Sequence, residues 1–210
     1  QRSYDSARHL VRSESAMRRI VREAVEDDAK EGSVRLEMQV DPTSYAPWVG
    51  GITPALEIIL DEARQAWRDT GVEVGIIVAA SRIRHPLDAR VLARLAAQYA
   101  GEGPGKVIGF GLSNDERVGT TSEFGAAFGI ARRAGLASLP HGGELLGPES
   151  VRNVSPRSTR RDSATACVRR KTPTCFAGSL TKVLLSKSAR PQTSIWGSTR
   201  TFHTFPYLFL

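Results

Sequence analysis

The chain has four histidines, and one of them, His141, stands three residues before a carboxylate in Pro140-His141-Gly142-Gly143-Glu144. Neutral imidazole is a good zinc ligand. A carboxyl group acts as a general acid near neutrality only where its surroundings raise its pKa. Taken alone, a His-x-x-Glu pair reads as a polar loop. A second group of reactive side chains is Ser113-Asn114-Asp115-Glu116, whose acidic pair, also taken alone, reads as a solvated loop end. A third is Arg84-His85, a basic pair of the kind that meets a neighbouring carboxylate. Cys167 and Cys175 are too few for a disulfide framework and lack the second pair of a metal site, so they read as incidental. Gly101-Glu102-Gly103-Pro104-Gly105 lacks the spacing of a dinucleotide-binding loop and reads as a turn.

These groups sit in a regular succession of elements. Met17, Ile20, Val21, Ala24 and Val25 recur at helical spacing, with Ser13 as N-cap and Gly32 as stop. Val34, Leu36, Met38 and Val40 alternate with polar residues, the pattern of a strand. Thr53-Pro54 opens a helix that runs to Thr70 and ends at Gly71. The apolar run Val72 to Ala80 has the composition of a buried parallel strand. A helix over Leu87 to Tyr99, a strand over Val107 to Leu112, a helix over Thr121 to Ala134 and a short strand over Leu136 to Leu139 follow. Alternating helix and strand predicts βα units around a parallel sheet. Each reactive group then falls just after a strand.

The totals allow one domain with a real core: 210 residues, of which 40% are hydrophobic. The net charge of +7 misleads as an average. Residues 1–150 hold 18 Lys/Arg and 21 Asp/Glu, whereas residues 151–210 hold 11 Lys/Arg against the single acid Asp162. All the basicity therefore lies in the last 60 residues, where 17 are Ser or Thr and no strand or helix period appears. No apolar run approaches membrane-spanning length and no signal-peptide pattern opens the chain, so the expected location is the cytoplasm. The first residue is Gln, as expected of a sequence lacking its start.

Four segments resemble the adenosine deaminase family. They are Val40-Asp41-Pro42-Thr43-Ser44-Tyr45-Ala46-Pro47, Ser81-Arg82-Ile83-Arg84-His85-Pro86, Gly109-Phe110-Gly111-Leu112-Ser113-Asn114-Asp115-Glu116 and Pro140-His141-Gly142-Gly143-Glu144. They occur in family order at strand ends, within about residues 10–152. The resemblance implies an α/β fold, a partial (β/α)8 barrel holding strands two to five, with its site at the C-terminal strand ends. It implies a zinc-dependent hydrolase that deaminates adenosine, adenine or aminodeoxyfutalosine, and the retained motifs do not choose among these. By position it makes His141 a zinc ligand and Glu144 the proton donor to the purine ring. The segment Ser113-Asn114-Asp115-Glu116 becomes the purine-contacting turn, with Ser113, Asn114 and Asp115 as substrate-binding residues, and Arg84-His85 takes a supporting role. Many family members have Gly where this chain has Asn114. The expected partner is a small purine nucleoside or base.

The rest of the family's site has no counterpart as written. No His-x-His, no Gly-His-Gly and no Asp-Asp occurs, so one zinc ligand of four remains. The tail accounts for part of this. Back-translated one reading frame over, Arg161 to Arg170 permits Arg-Leu-Gly-His-Gly-Val-Arg-Ala, the family's sixth-strand motif. In the same frame Lys187 to Thr199 permits Glu-Val-Cys-Pro-Ala-Ser-Asn-Val-His-Leu-Gly-Val-Tyr, which resembles the seventh. The expected organisation is thus a partial barrel over 1–152 and a basic, out-of-frame tail over 153–210. This predicts an inactive fragment that does not hold zinc tightly. The alternative is a non-catalytic protein whose Arg169-Arg170-Lys171 contacts nucleic-acid phosphate. The tail contains no recognised nucleic-acid-binding fold, so this reading ranks second and nucleic acid is not an expected partner.

Overall fold

The computed structural model describes residues 10–150. The basic tail, its two cysteines and the frame-shifted segments lie outside the described residues. Ser13 caps helix α1 (Glu14–Lys30) by accepting the amide of Ala16 at 3.2 Å. The helix buries Met17, Val21 and Val25, four residues apart, so one stripe faces inward. Strand β1 (Arg35–Val40) follows, then a 3-10 turn over Pro42–Ser44 and the one-turn helix α2 (Ala46–Val49). Helix α3 (Ile52–Thr70) leads through a left-handed Gly71 into β2 (Glu73–Ser81). Helix α4 (Pro86–Gln98) and strand β3 (Lys106–Ser113) come next. A 3-10 turn over Thr121–Phe124, helix α5 (Gly125–Arg133) and strand β4 (Ala137–Pro140) complete the described part.

The four strands form one sheet in the order β1-β2-β3-β4, every pair parallel. Parallel neighbours joined through helices are βα units, as the sequence pattern predicts. The expected partial barrel of four βα strands is thereby borne out. Phe110 and Leu112 of β3 are fully buried, and Phe110 meets Phe128 of α5 edge-to-face at 5.3 Å. Burial of each such side chain stabilises the layer by about 2–3 kcal/mol. The alternate positions of β3 are glycines. A Cβ at Gly109 would stand 2.7 Å from the Leu139 side chain, and one at Gly111 would stand 3.1 Å from the Gln39 amide oxygen. Small residues there let β1, β3 and β4 approach on the face opposite Phe110.

Two expectations need correction. The expected helix over Thr121 to Ala134 is a 3-10 turn followed by an α-helix. The reciprocal capping of Thr120 and Glu123 tightens the first turn, and the regular helix starts only at Gly125. Val34, read as the first apolar residue of a strand, is 83% exposed, because pairing with β2 begins at Arg35 opposite Glu73. Among the described residues no helix is long and apolar enough to cross a membrane.

Candidate functional site

All four strands deliver their C-terminal residues to one rim. Ser81 pairs with Ser113, Leu112 pairs with Pro140, and the amide of His141 donates to the carbonyl of Leu112 at 2.9 Å. The groups selected from the sequence, His141 with Glu144 and Ser113 to Glu116, therefore meet on the same edge. That is where a βα barrel carries its chemistry.

His141 is buried, and its two ring nitrogens face different neighbours. Nδ1 lies 3.5 Å from Oε1 of Glu144, and Nε2 lies 3.3 Å from the Gln39 side-chain nitrogen on β1. Burial pushes the imidazole pKa down, with the Glu144 charge opposing, so the net shift favours the neutral, metal-competent ring. Glu144 is 40% exposed, so its carboxyl reaches from the buried histidine into the open space above the rim.

The turn after β3 is built with little freedom. The Ser113 hydroxyl donates to the Ala80 carbonyl at 3.2 Å, and the Asn114 amide donates to the Ser81 hydroxyl at 2.7 Å. Asn114 is the one non-glycine residue with positive φ among those described, at 72°. Family members with Gly at this point have the residue that takes this conformation freely, and Asn is among the few others that tolerate it. The Asp115 carboxylate turns aside to Arg117, 2.6 Å from its Nη2, and that hydrogen bond holds the carboxyl at about 2. Ser113 and Asp115 thus have their side chains engaged within the protein, and the turn offers backbone to the rim. The basic pair Arg84-His85 is exposed, and His85 caps α4 by accepting the Leu87 amide at 3.2 Å.

Two further residues are buried at this rim: Glu116, the last of the turn after β3, and Arg82, directly after β2. Glu116 accepts the amide of Gly143 at 2.8 Å, the amides of Leu145 and Leu146, and the Ser150 hydroxyl at 2.5 Å. Burial would raise its pKa, but these donors outweigh burial and the net shift is downward. Arg82 is 4% exposed and donates to the carbonyl of His141 at 2.5 Å, to Gly119 and to Thr121. Their sequence signals were weak: one acid in an acidic pair, and one arginine directly after an apolar strand.

The adenosine deaminase family model matches residues 1–157. This chain belongs to the adenosine deaminase family. It is 57% identical to a putative adenosine/adenine deaminase of Streptomyces virginiae and 58% identical to one of Streptomyces coelicolor, over 73% of its own length in each case. The chain spans 44% of the length of those relatives. A zinc-bound amidohydrolase from Burkholderia ambifaria aligns with 64% of this chain and 36% of that one, at a TM-score of 0.58 and 26% identity. The N6-mAMP deaminase of Arabidopsis shares the fold, at a TM-score of 0.64 and 22% identity over 87% of this chain and 53% of that one.

The family's resident metal can be tested against the residues in place. Among the described residues no group of three or more His, Cys, Asp and Glu could hold a metal ion. A catalytic zinc needs three protein ligands and an open position. His141 supplies one donor of suitable chemistry, and the described residues do not by themselves fit the ion.

Proposed function

We propose that this chain is part of a zinc-dependent aminopurine deaminase, which converts adenosine and water to inosine and ammonia, or adenine correspondingly. The observation that carries the reading is the buried His141 with Glu144 at 3.5 Å on the rim that also bears the Ser113–Glu116 turn. In this reading His141 is one ligand of a metal whose other ligands come from outside the described residues, and the metal supplies activated water. Glu144, exposed above the rim, donates a proton to a ring nitrogen of the purine. The left-handed turn at Asn114, flanked by Ser113 and Asp115, presents backbone groups to the base.

The same reading makes the 210-residue chain inactive on its own and its tail a product of a shifted frame. The family match ends at residue 157, inside the window of about Val151 to Arg160 where the shift is placed. The nucleotide sequence across codons 145–215 decides that point.

Function is tested on a version completed with the upstream His-x-His region and the corrected frame, supplied with zinc. Ammonia release is measured from adenosine, adenine and aminodeoxyfutalosine. Activity is expected on one of the three and its loss on His141→Ala or Glu144→Ala. No activity on any aminopurine refutes the reading.

A further inference from the structure

We propose that Glu116 is a positioning residue that fixes the His141–Glu144 turn, with Arg82 as its second anchor. The inference rests on the functional reading above, since it gives the turn something to position. The exposed Glu144 carboxyl touches Nδ1 of His141 at 3.5 Å, but the turn that carries it contains two glycines, Gly142 and Gly143, so local stiffness does not fix its backbone. What holds it is a single buried carboxylate on the preceding βα loop. Oε2 of Glu116 accepts from the Gly143 amide and the Ser150 hydroxyl, and Oε1 accepts from the amides of Leu145 and Leu146. Donors on both sides of Glu144 thus converge on one side chain, 27 to 34 residues away in sequence. From the other side, Arg82 grips the carbonyl of His141 and ties it to Gly119 and Thr121, which belong to the same loop as Glu116. The histidine and the acid three residues later are therefore set by contacts to the residue that follows β2 and to the loop after β3, and not by β4 alone.

The chemistry at position 116 is demanding. Each carboxylate oxygen takes two donors, and only an ionised carboxyl has lone pairs for four. In either orientation an amide would aim an N–H at one or two backbone N–H donors, the Ser150 hydroxyl alone being able to turn and accept, so glutamine satisfies the site poorly despite its shape.

Amide hydrogen exchange on the 210-residue chain reads the hold directly. In Glu116→Gln, exchange at Gly143, Leu145 and Leu146 is expected to quicken about tenfold or more, with Ile76 and Val78 of β2 unchanged. Ser150→Ala, which removes one donor on the turn side, is expected to quicken the same amides about threefold. In the completed deaminase, Glu116→Gln is expected to lower kcat about 10- to 100-fold with KM within about twofold, because the carboxyl of Glu144 is displaced and the purine turn is intact. Unchanged exchange at the three amides in both variants overturns the proposal. So does quickening that spreads evenly over the sheet in both, which marks a merely structural residue. If Glu116→Gln fails to fold, Ser150→Ala decides. If the completed parent deaminates no aminopurine, the functional reading falls while the exchange result still decides whether Glu116 holds the turn.

Discussion

Asn114 shows how a departure from the family pattern is absorbed by one residue. Its φ of 72° costs a β-branched side chain about 1–2 kcal/mol, and its own amide compensates by bonding Ser81. Asn114→Gly is therefore expected to stay within about 0.5 kcal/mol of the parent, whereas Asn114→Val loses about 2 kcal/mol in urea unfolding. Equal losses for the two would show that the left-handed backbone is not the constraint. Next to it, Asp115 titrates at about 2 because Arg117 bonds its ionised form. A depressed carboxyl supports the fold above its unfolded value, near 4, and that support fades as pH falls toward 2. In Arg117→Ala the carboxyl should titrate upward by NMR, part of the way to the ordinary value since the backbone amide of residue 117 still donates to it, and an unmoved value would break the pairing. The sequence made His141 and Glu144 legible because residue type and spacing carry them. It hid the contacts of Gln39, Arg82 and Glu116, which reach neighbours 27 to 102 residues away.

Elements were legible wherever one side of the segment is buried. The Met17, Val21, Val25 stripe of α1 and the continuous apolar run of β2 announce themselves because burial selects them. The turn over Thr121–Phe124 did not, since Phe124 and the apolar residues after it suit one longer helix, and a capping box at Thr120 and Glu123 reads as the start of one. Nor did periodicity expose how α1 is fastened to α3. There the Glu62 side chain, 5% exposed, lies 3.2 Å from Arg18 and 2.6 Å from Arg22, while Asp61 and Asp69 meet the same two arginines. Removing one member of such a cluster leaves charge with poor compensation. The arginines are about one-third exposed, so water offsets part of the loss. Glu62→Ala is expected to lower unfolding free energy by about 1–3 kcal/mol, and α1 amides should lose exchange protection before those of β2 and β3. Simultaneous loss across all elements would mean that α1 is not a separable layer.

At the scale of the molecule, the described sheet has β1 at one edge and β4 at the other, with neither edge paired among the described residues. A closed barrel buries both edges and brings donors from several strand ends around one ion. Four strands present one rim segment, and along it His141 is the one residue proposed above as a metal ligand. The full sequence holds three other histidines: His9 before α1, His85 capping α4, and His203 in the tail. None forms a His-x-His pair, so the sequence offers no such pair to complete the metal site proposed at His141. One imidazole gains too little to strip water from zinc and fix its geometry, for which structural and catalytic sites use at least three protein ligands. The 210-residue chain, equilibrated with one equivalent of zinc and dialysed, is therefore expected to retain none and to release no ammonia from adenosine or adenine. The completed version is expected to retain one zinc per chain under the same conditions and to lose it on His141→Ala. Retention of a full equivalent by the shorter chain, abolished by His141→Ala, would show that residues outside the family's ligand pattern complete the site, and the inactivity assigned to this chain would fall with it.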